Sequence, residues 1–248
     1  MTQITARGKP YDTKNWRWIR FKLFVLFLLN GVPPLKKLTF HIWRYLCNLQ
    51  HKLRSRKIVK GPYGKFDIDK IYWIDPKRIK YSSLKEFDFC KYRGKIIGGN
   101  WDRLDKPFDL LYVYIAFKER FFERKNWKDT LFYRQVLDGI ENGKFFWKCK
   151  NKSDLDARCK NLESLFQDIK NNGYKPQSQM LSEKNERDLR KIEDEITVNI
   201  GRNGDLLFNN GAHRLSIVKL LGIQKIPIKI TVIHPESVDK LRKGEIPL

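Results

Sequence analysis

Residues 196–233, ITVNIGRNGDLLFNNGAHRLSIVKLLGIQKIPIKITVI, constrain the fold more than any other stretch of the chain. Two short apolar runs, 196–200 and 205–208, flank the turn sequence Gly201-Arg202-Asn203-Gly204, which predicts a β-hairpin. Asn209-Asn210-Gly211 then stops the sheet. A helix is expected over 212–221, because Leu215, Val218 and Leu221 recur at helical spacing and Gly222 closes the run. Residues 226–233, with four isoleucines and a valine, read as a buried strand. The unit is strand, turn, strand, helix, strand, which places the chain in the α/β (α+β) class with a small mixed sheet.

The helix opens at Gly211-Ala212-His213-Arg214. Its first amide protons have no acceptor within the helix and the dipole end is positive, so an anion is favoured there. A guanidinium in the first turn can grip two phosphate oxygens at once. The plainer alternative stays open: Asn210 as an N-cap, Gly211 as a residue needing positive φ, and His213-Arg214 as a solvated first turn. Cations in a first turn oppose the macrodipole, and a bound anion would remove that conflict.

A formal charge of +23 points to polyanionic partners. Residues 1–60 hold 14 of the 51 Lys and Arg but a single acid, Asp12, so more than half of the excess lies in the first quarter. The apolar run 23–29 (LFVLFLL) is far shorter than the roughly 20 residues of a membrane span. No small-residue cleavage site follows it, so a signal peptide is not expected. From 35 to 53 the positions Leu35, Leu38, Ile42, Leu46, Leu49 and Leu53 recur at helical spacing among Lys36, Lys37, Arg44, Lys52 and Arg54. That is a basic amphipathic helix, and three destinations are open to it: the domain core, an anionic membrane surface or nucleic-acid phosphates. The boundaries follow: an N-terminal extension over 1–60 and a domain over 61–248. Cys47, Cys90, Cys149 and Cys159 form no C-x-x-C pair, and the four histidines show no metal-ligand spacing. Reduced thiols, a cytoplasmic chain with a possible peripheral membrane attachment, and no structural metal are the expectations.

Between these regions lie elements of lesser signal. A strand over 71–74 ends at Asp75-Pro76. Gly98-Gly99 permits close backbone approach, with Asn100, Asp102 and Arg103 beside it. If the domain is an enzyme, Asp102 is the first candidate for a proton acceptor or a Mg2+ contact, against the alternative of an ordinary glycine turn. Residues 108–122 read as a buried helix, in which Glu119-Arg120 form a surface ion pair or point into a cleft. Asp129 is expected to cap a helix over 130–141, and a further helix runs from 153 to Gly173. Ten of the fourteen residues 182–195 are charged, which predicts a solvated helix or strap.

The succession Asn210-Gly211-Ala212-His213-Arg214, Leu221-Gly222 and Ile226-Pro227 resembles the ParB/sulfiredoxin superfamily. Residues 74–79 (IDPKRI) and 162–177 (LESLFQDIKNNGYKPQ) resemble its opening strand and the helix and loop before its hairpin. The resemblance spans roughly 90 residues in three pieces, with 82–152 left as a helical insertion. It implies nucleotide phosphates on Asn210, Gly211, Ala212, His213 and Arg214, with Gln177 beside the turn to meet a base or ribose. The departures matter too. Ala212 stands where sulfiredoxins have their reactive Cys, so sulfinic acid repair by that route is not expected. With 15 residues after Ile233, the helix-turn-helix of chromosome-segregation relatives is not expected. Asn210 and Ala212 also depart from the Asp-Gly-His-His-Arg of the free serine kinases.

Three functions follow from these readings. One is a nucleoside-triphosphate-dependent phosphotransferase or hydrolase using ATP or CTP, Mg2+ and an acid such as Asp102. Another is a nucleotide-gated module that docks on DNA, RNA or an anionic membrane through residues 16–57. The third, a nuclease, has charge in its favour but no paired metal carboxylates.

Overall fold

The computed structural model describes residues 70–83, 92–103, 106–143, 147, 149–177, 179–180 and 195–248. The N-terminal extension, its amphipathic helix, the docking readings for 16–57 and most of the charged strap lie outside these residues. In chain order the strands are β1 (Tyr72–Ile74), β2 (Tyr81–Ser82), β3 (Lys95–Ile96), β4 (Ile196–Ile200), β5 (Leu206–Asn210) and β6 (Ile226–Ile233). The helices are α1 (Tyr112–Phe121), α2 (Leu131–Glu141), α3 (Lys152–Asn172), α4 (Ala212–Leu220) and α5 (Val238–Arg242).

All six strands form one mixed sheet in the order β1-β6-β4-β5-β2, with β3 pairing the far half of β6. The expected hairpin is present: β4 and β5 run antiparallel, and the amide of Gly204 returns to the Gly201 carbonyl at 2.9 Å. The helix after it carries the chain across, so β6 lies parallel to β4, with Thr197 opposite Lys229.

Alternation decides the two faces. Ile196, Val198 and Ile200 of β4, Leu206 and Phe208 of β5, and Ile226, Ile228 and Ile230 of β6 are buried in the main core. Against them pack α1 residues Val113, Ala116 and Phe117, α2 residues Phe132 and Val136, α3 residues Leu155, Leu162 and Phe166, and Leu215 and Val218 of α4. The opposite face combines a small apolar cluster of Trp101, Leu207 and Val232 with buried polar groups: the Asn209 Nδ2 donates to Thr197 Oγ1 at 3.1 Å and Thr231 Oγ1 at 3.2 Å.

Four expectations change in detail. The stretch read as an insertion is not only helical, since β3 joins the sheet, and α1 packs directly on α4. The expected helix over 108–122 is interrupted: a 3-10 turn at Phe108–Leu110 precedes α1. Thr130, not Asp129, caps α2, its Oγ1 accepting the Tyr133 amide. Glu119 is buried rather than paired with its neighbour, accepting the Leu131 amide at 2.7 Å, while Arg120 bonds Glu163. Helix α3 ends where expected, at Gly173 with φ +72°.

Candidate functional site

At the junction of β5 and α4 the chain makes a turn that only glycine fits comfortably. Gly211 has φ +92°, and a Cβ there would stand 3.1 Å from the Ile196 Cα. The register explains the closeness, since Asn210 lies opposite Thr197 and the next residue falls beside the start of β4. Gly211 itself is the N-cap and no side chain caps α4. The expected cap by Asn210 is therefore not made; Asn210 is the last residue of β5 and exposed. Ala212 is the first helical residue, and Gly211 has no side chain to accept the amides that open α4.

Arg214, one turn into α4, is brought together with Gln177. Both line a pocket of about 110 Å³, whose remaining wall comes from the last turns of α3 (Leu165, Asp168, Ile169, Asn172) and the loop after it (Gly173, Tyr174, Lys175). The loop is held by Glu195, which the Gln177 amide and the Tyr174 hydroxyl both bond. Glu195 is 1% exposed. Burial pushes its carboxyl above the ordinary glutamate range, and the Gln177 amide, Arg214, the Tyr174 hydroxyl and Lys229 offset this only in part. Arg214 and Lys229 thus both face this buried carboxylate.

His213 does not play the expected part of a first-turn cation. Its ring meets Trp147 edge-on at 4.6 Å between centroids, and Phe117 and Phe132 at 6.0 and 6.2 Å. Burial, with Arg158 and Arg214 adding like charge, pushes its pKa down to about 3, so the imidazole is neutral at physiological pH. The aromatic residues that α1 and α2 turn toward α4 are the cause, and nothing in the local motif announces them.

Asp102 is placed elsewhere. It sits against the hairpin turn, where Arg202 bonds it through its backbone amide at 2.7 Å and through the guanidinium at 2.8 Å. The same guanidinium reaches the Gly99 carbonyl and the Asn100 Oδ1. The Gly211 turn lies at the other end of β5, about 16 Å away at the usual rise per strand residue. Burial pushes the Asp102 carboxyl up, but the Arg202 hydrogen bonds outweigh it and hold the group below the usual aspartate range. An ionised, fully engaged carboxylate remote from Arg214 is a latch between the 97–102 loop and the hairpin, not a proton acceptor for this site.

Glu195, Tyr174, Arg158 and Trp147 went unread in the sequence. Glu195 is the last residue of a charged run, and its only signal was that it abuts the apolar start of β4. Among the described residues no three His, Cys, Asp or Glu side chains converge as a metal site, and Cys149 and Cys159 are buried free thiols. No helix among them is long and apolar enough to cross a membrane. No family model, curated protein or solved structure matches the chain.

Proposed function

We propose that this chain binds a nucleotide, ATP or CTP, through its phosphates at the start of α4. The observation that carries the reading is the meeting of Arg214 and Gln177 in one pocket beside an uncapped helix start. Uncapped amides and a guanidinium are the groups a phosphate seeks. The order of hairpin, Gly-Ala-His-Arg helix start and buried strand supports a likeness to the ParB/sulfiredoxin superfamily, in which nucleotide phosphates take this place. In this reading the phosphates enter the pocket, and base and ribose lie over the 174–177 loop. Asp168 lines the pocket and Glu195 holds its wall through Tyr174 and Gln177; of the two, the buried Glu195 is the acid on which phosphotransfer or hydrolysis would depend.

The experiment is a thermal-shift screen of the full chain against ATP, CTP, GTP and UTP with and without magnesium, repeated on Arg214→Ala. A ligand that binds only the folded chain raises the melting temperature by mass action. The expected result is a shift with a triphosphate that Arg214→Ala loses; no shift with any nucleotide overturns the reading.

A further inference from the structure

Arg158, on α3, is in an unusual state for a cation. Its Nε is shielded from solvent and donates to nothing. No carboxylate of the described residues lies within ion-pair distance, and its contact is with the Trp147 ring, 5.8 Å from the guanidinium carbon. The Nε2 of His213, whose ring meets the same indole, is likewise buried without a partner. A buried polar nitrogen without an acceptor costs on the order of 1–3 kcal/mol. The two atoms flank one tryptophan, and of them the Arg158 Nε is a donor without an acceptor on a guanidinium that carries the positive charge an anion needs.

The position of Arg158 says which anion. Residues 158, 165, 169 and 172 follow one another at helical spacing, so Arg158 continues the strip of α3 whose Leu165, Ile169 and Asn172 line the Gln177 pocket. From 158 to 165 is about 10 Å along the helix axis, which an arginine side chain can partly close. Arg158 is not among the residues that line the pocket; it stands about two turns nearer the start of α3 on the same strip.

We propose that Arg158 is a specificity-determining residue that takes a second phosphoryl group, so that the chain selects a polyphosphate over a monophosphate. This rests on the phosphate reading of Arg214 given above. A planar guanidinium backed by an indole presents its edge to oxygens, and its hydrogen bonds to a charged oxygen are about twice as strong as neutral ones.

The test is calorimetric titration of the full chain and of Arg158→Gln and Arg158→Lys with CTP, ATP, their monophosphates and inorganic tripolyphosphate. Without ligand, Arg158→Gln should melt at the wild-type temperature or above it, because it removes a half-buried guanidinium whose Nε has no acceptor; a purely structural arginine would lower it. The wild type should bind triphosphate at least tenfold tighter than monophosphate. Arg158→Gln should lower triphosphate affinity about 10- to 100-fold and leave monophosphate affinity within about twofold, with Arg158→Lys between. If triphosphate affinity is unchanged in Arg158→Gln while Arg214→Ala loses it, this inference fails and the nucleotide site stands. If tripolyphosphate binds in an Arg158-dependent way and no nucleotide does, the polyphosphate locus stands and the nucleotide reading falls. If nothing binds the wild type, both fall.

Discussion

The Tyr174 hydroxyl donates to Glu195 Oε2 at 3.3 Å, which ties the loop after α3 to the first residue before β4. Because the same carboxylate faces Arg214 and Lys229, it subtracts from the field that an arriving anion meets. Glu195→Gln should therefore tighten triphosphate binding several-fold at low salt, and the gain should shrink as salt rises. Titrations at two ionic strengths read it. The fold holds this carboxyl above its unfolded range, so its contribution to stability is full below the unfolded pKa and is lost as pH rises through the folded one. Glu195→Gln should remove that loss.

His213 has the opposite sign. Its folded pKa of about 3 lies below the ordinary histidine value, so its contribution is present above about pH 6.5 and is lost as the pH falls toward 3. His213→Phe keeps a ring within the cage of Trp147, Phe117 and Phe132 and removes the titrating group. Urea unfolding from pH 7 to pH 4 should show a shallower loss in this variant than in the wild type; parallel curves would mean that the histidine is not neutral in the fold.

Gly211→Ala tests the turn. With φ at +92° and the Ile196 Cα 3.1 Å from the added methyl, the substitution strains the backbone and crowds β4 at once. A destabilisation of roughly 1–3 kcal/mol is expected, read by chemical denaturation. Gly173→Ala, with positive φ but open space around it, should cost less.

Asp102→Asn separates structure from site. The Arg202 side chain is a third exposed while Asp102 is buried, so the loss should be about 2–3 kcal/mol, below that of a fully buried pair. Nucleotide affinity should not change, because the latch lies at the other end of β5. A variant that kept its stability but lost binding would return Asp102 to the site.

Legibility followed the range of the interactions. The hairpin, α4, β6 and the Gly173 stop were readable because turn chemistry, 3.6-residue spacing and apolar runs act between neighbours in the chain. The pairing of Asp102 is illegible for a long-range reason: its glycine-rich surroundings look like a ligand turn, but its partner Arg202 is a hundred residues away. Glu195 was read as the end of a solvated run, since burial of a charged residue depends on the cations that β6 and α4 bring to it.

What the chain alone determined is the strand, turn, strand, helix, strand unit and the glycine turn that opens α4, because these arise from backbone preferences and from burying one apolar face. Tertiary structure decided the charge state of the site. Packing of α1 and α2 against α4 surrounds His213 with aromatic rings and makes it neutral, and the meeting of α3 with α4 sets Gln177 beside Arg214. Protonation and convergence depend on the dielectric and the charges contributed by distant segments, and no local pattern carries that information.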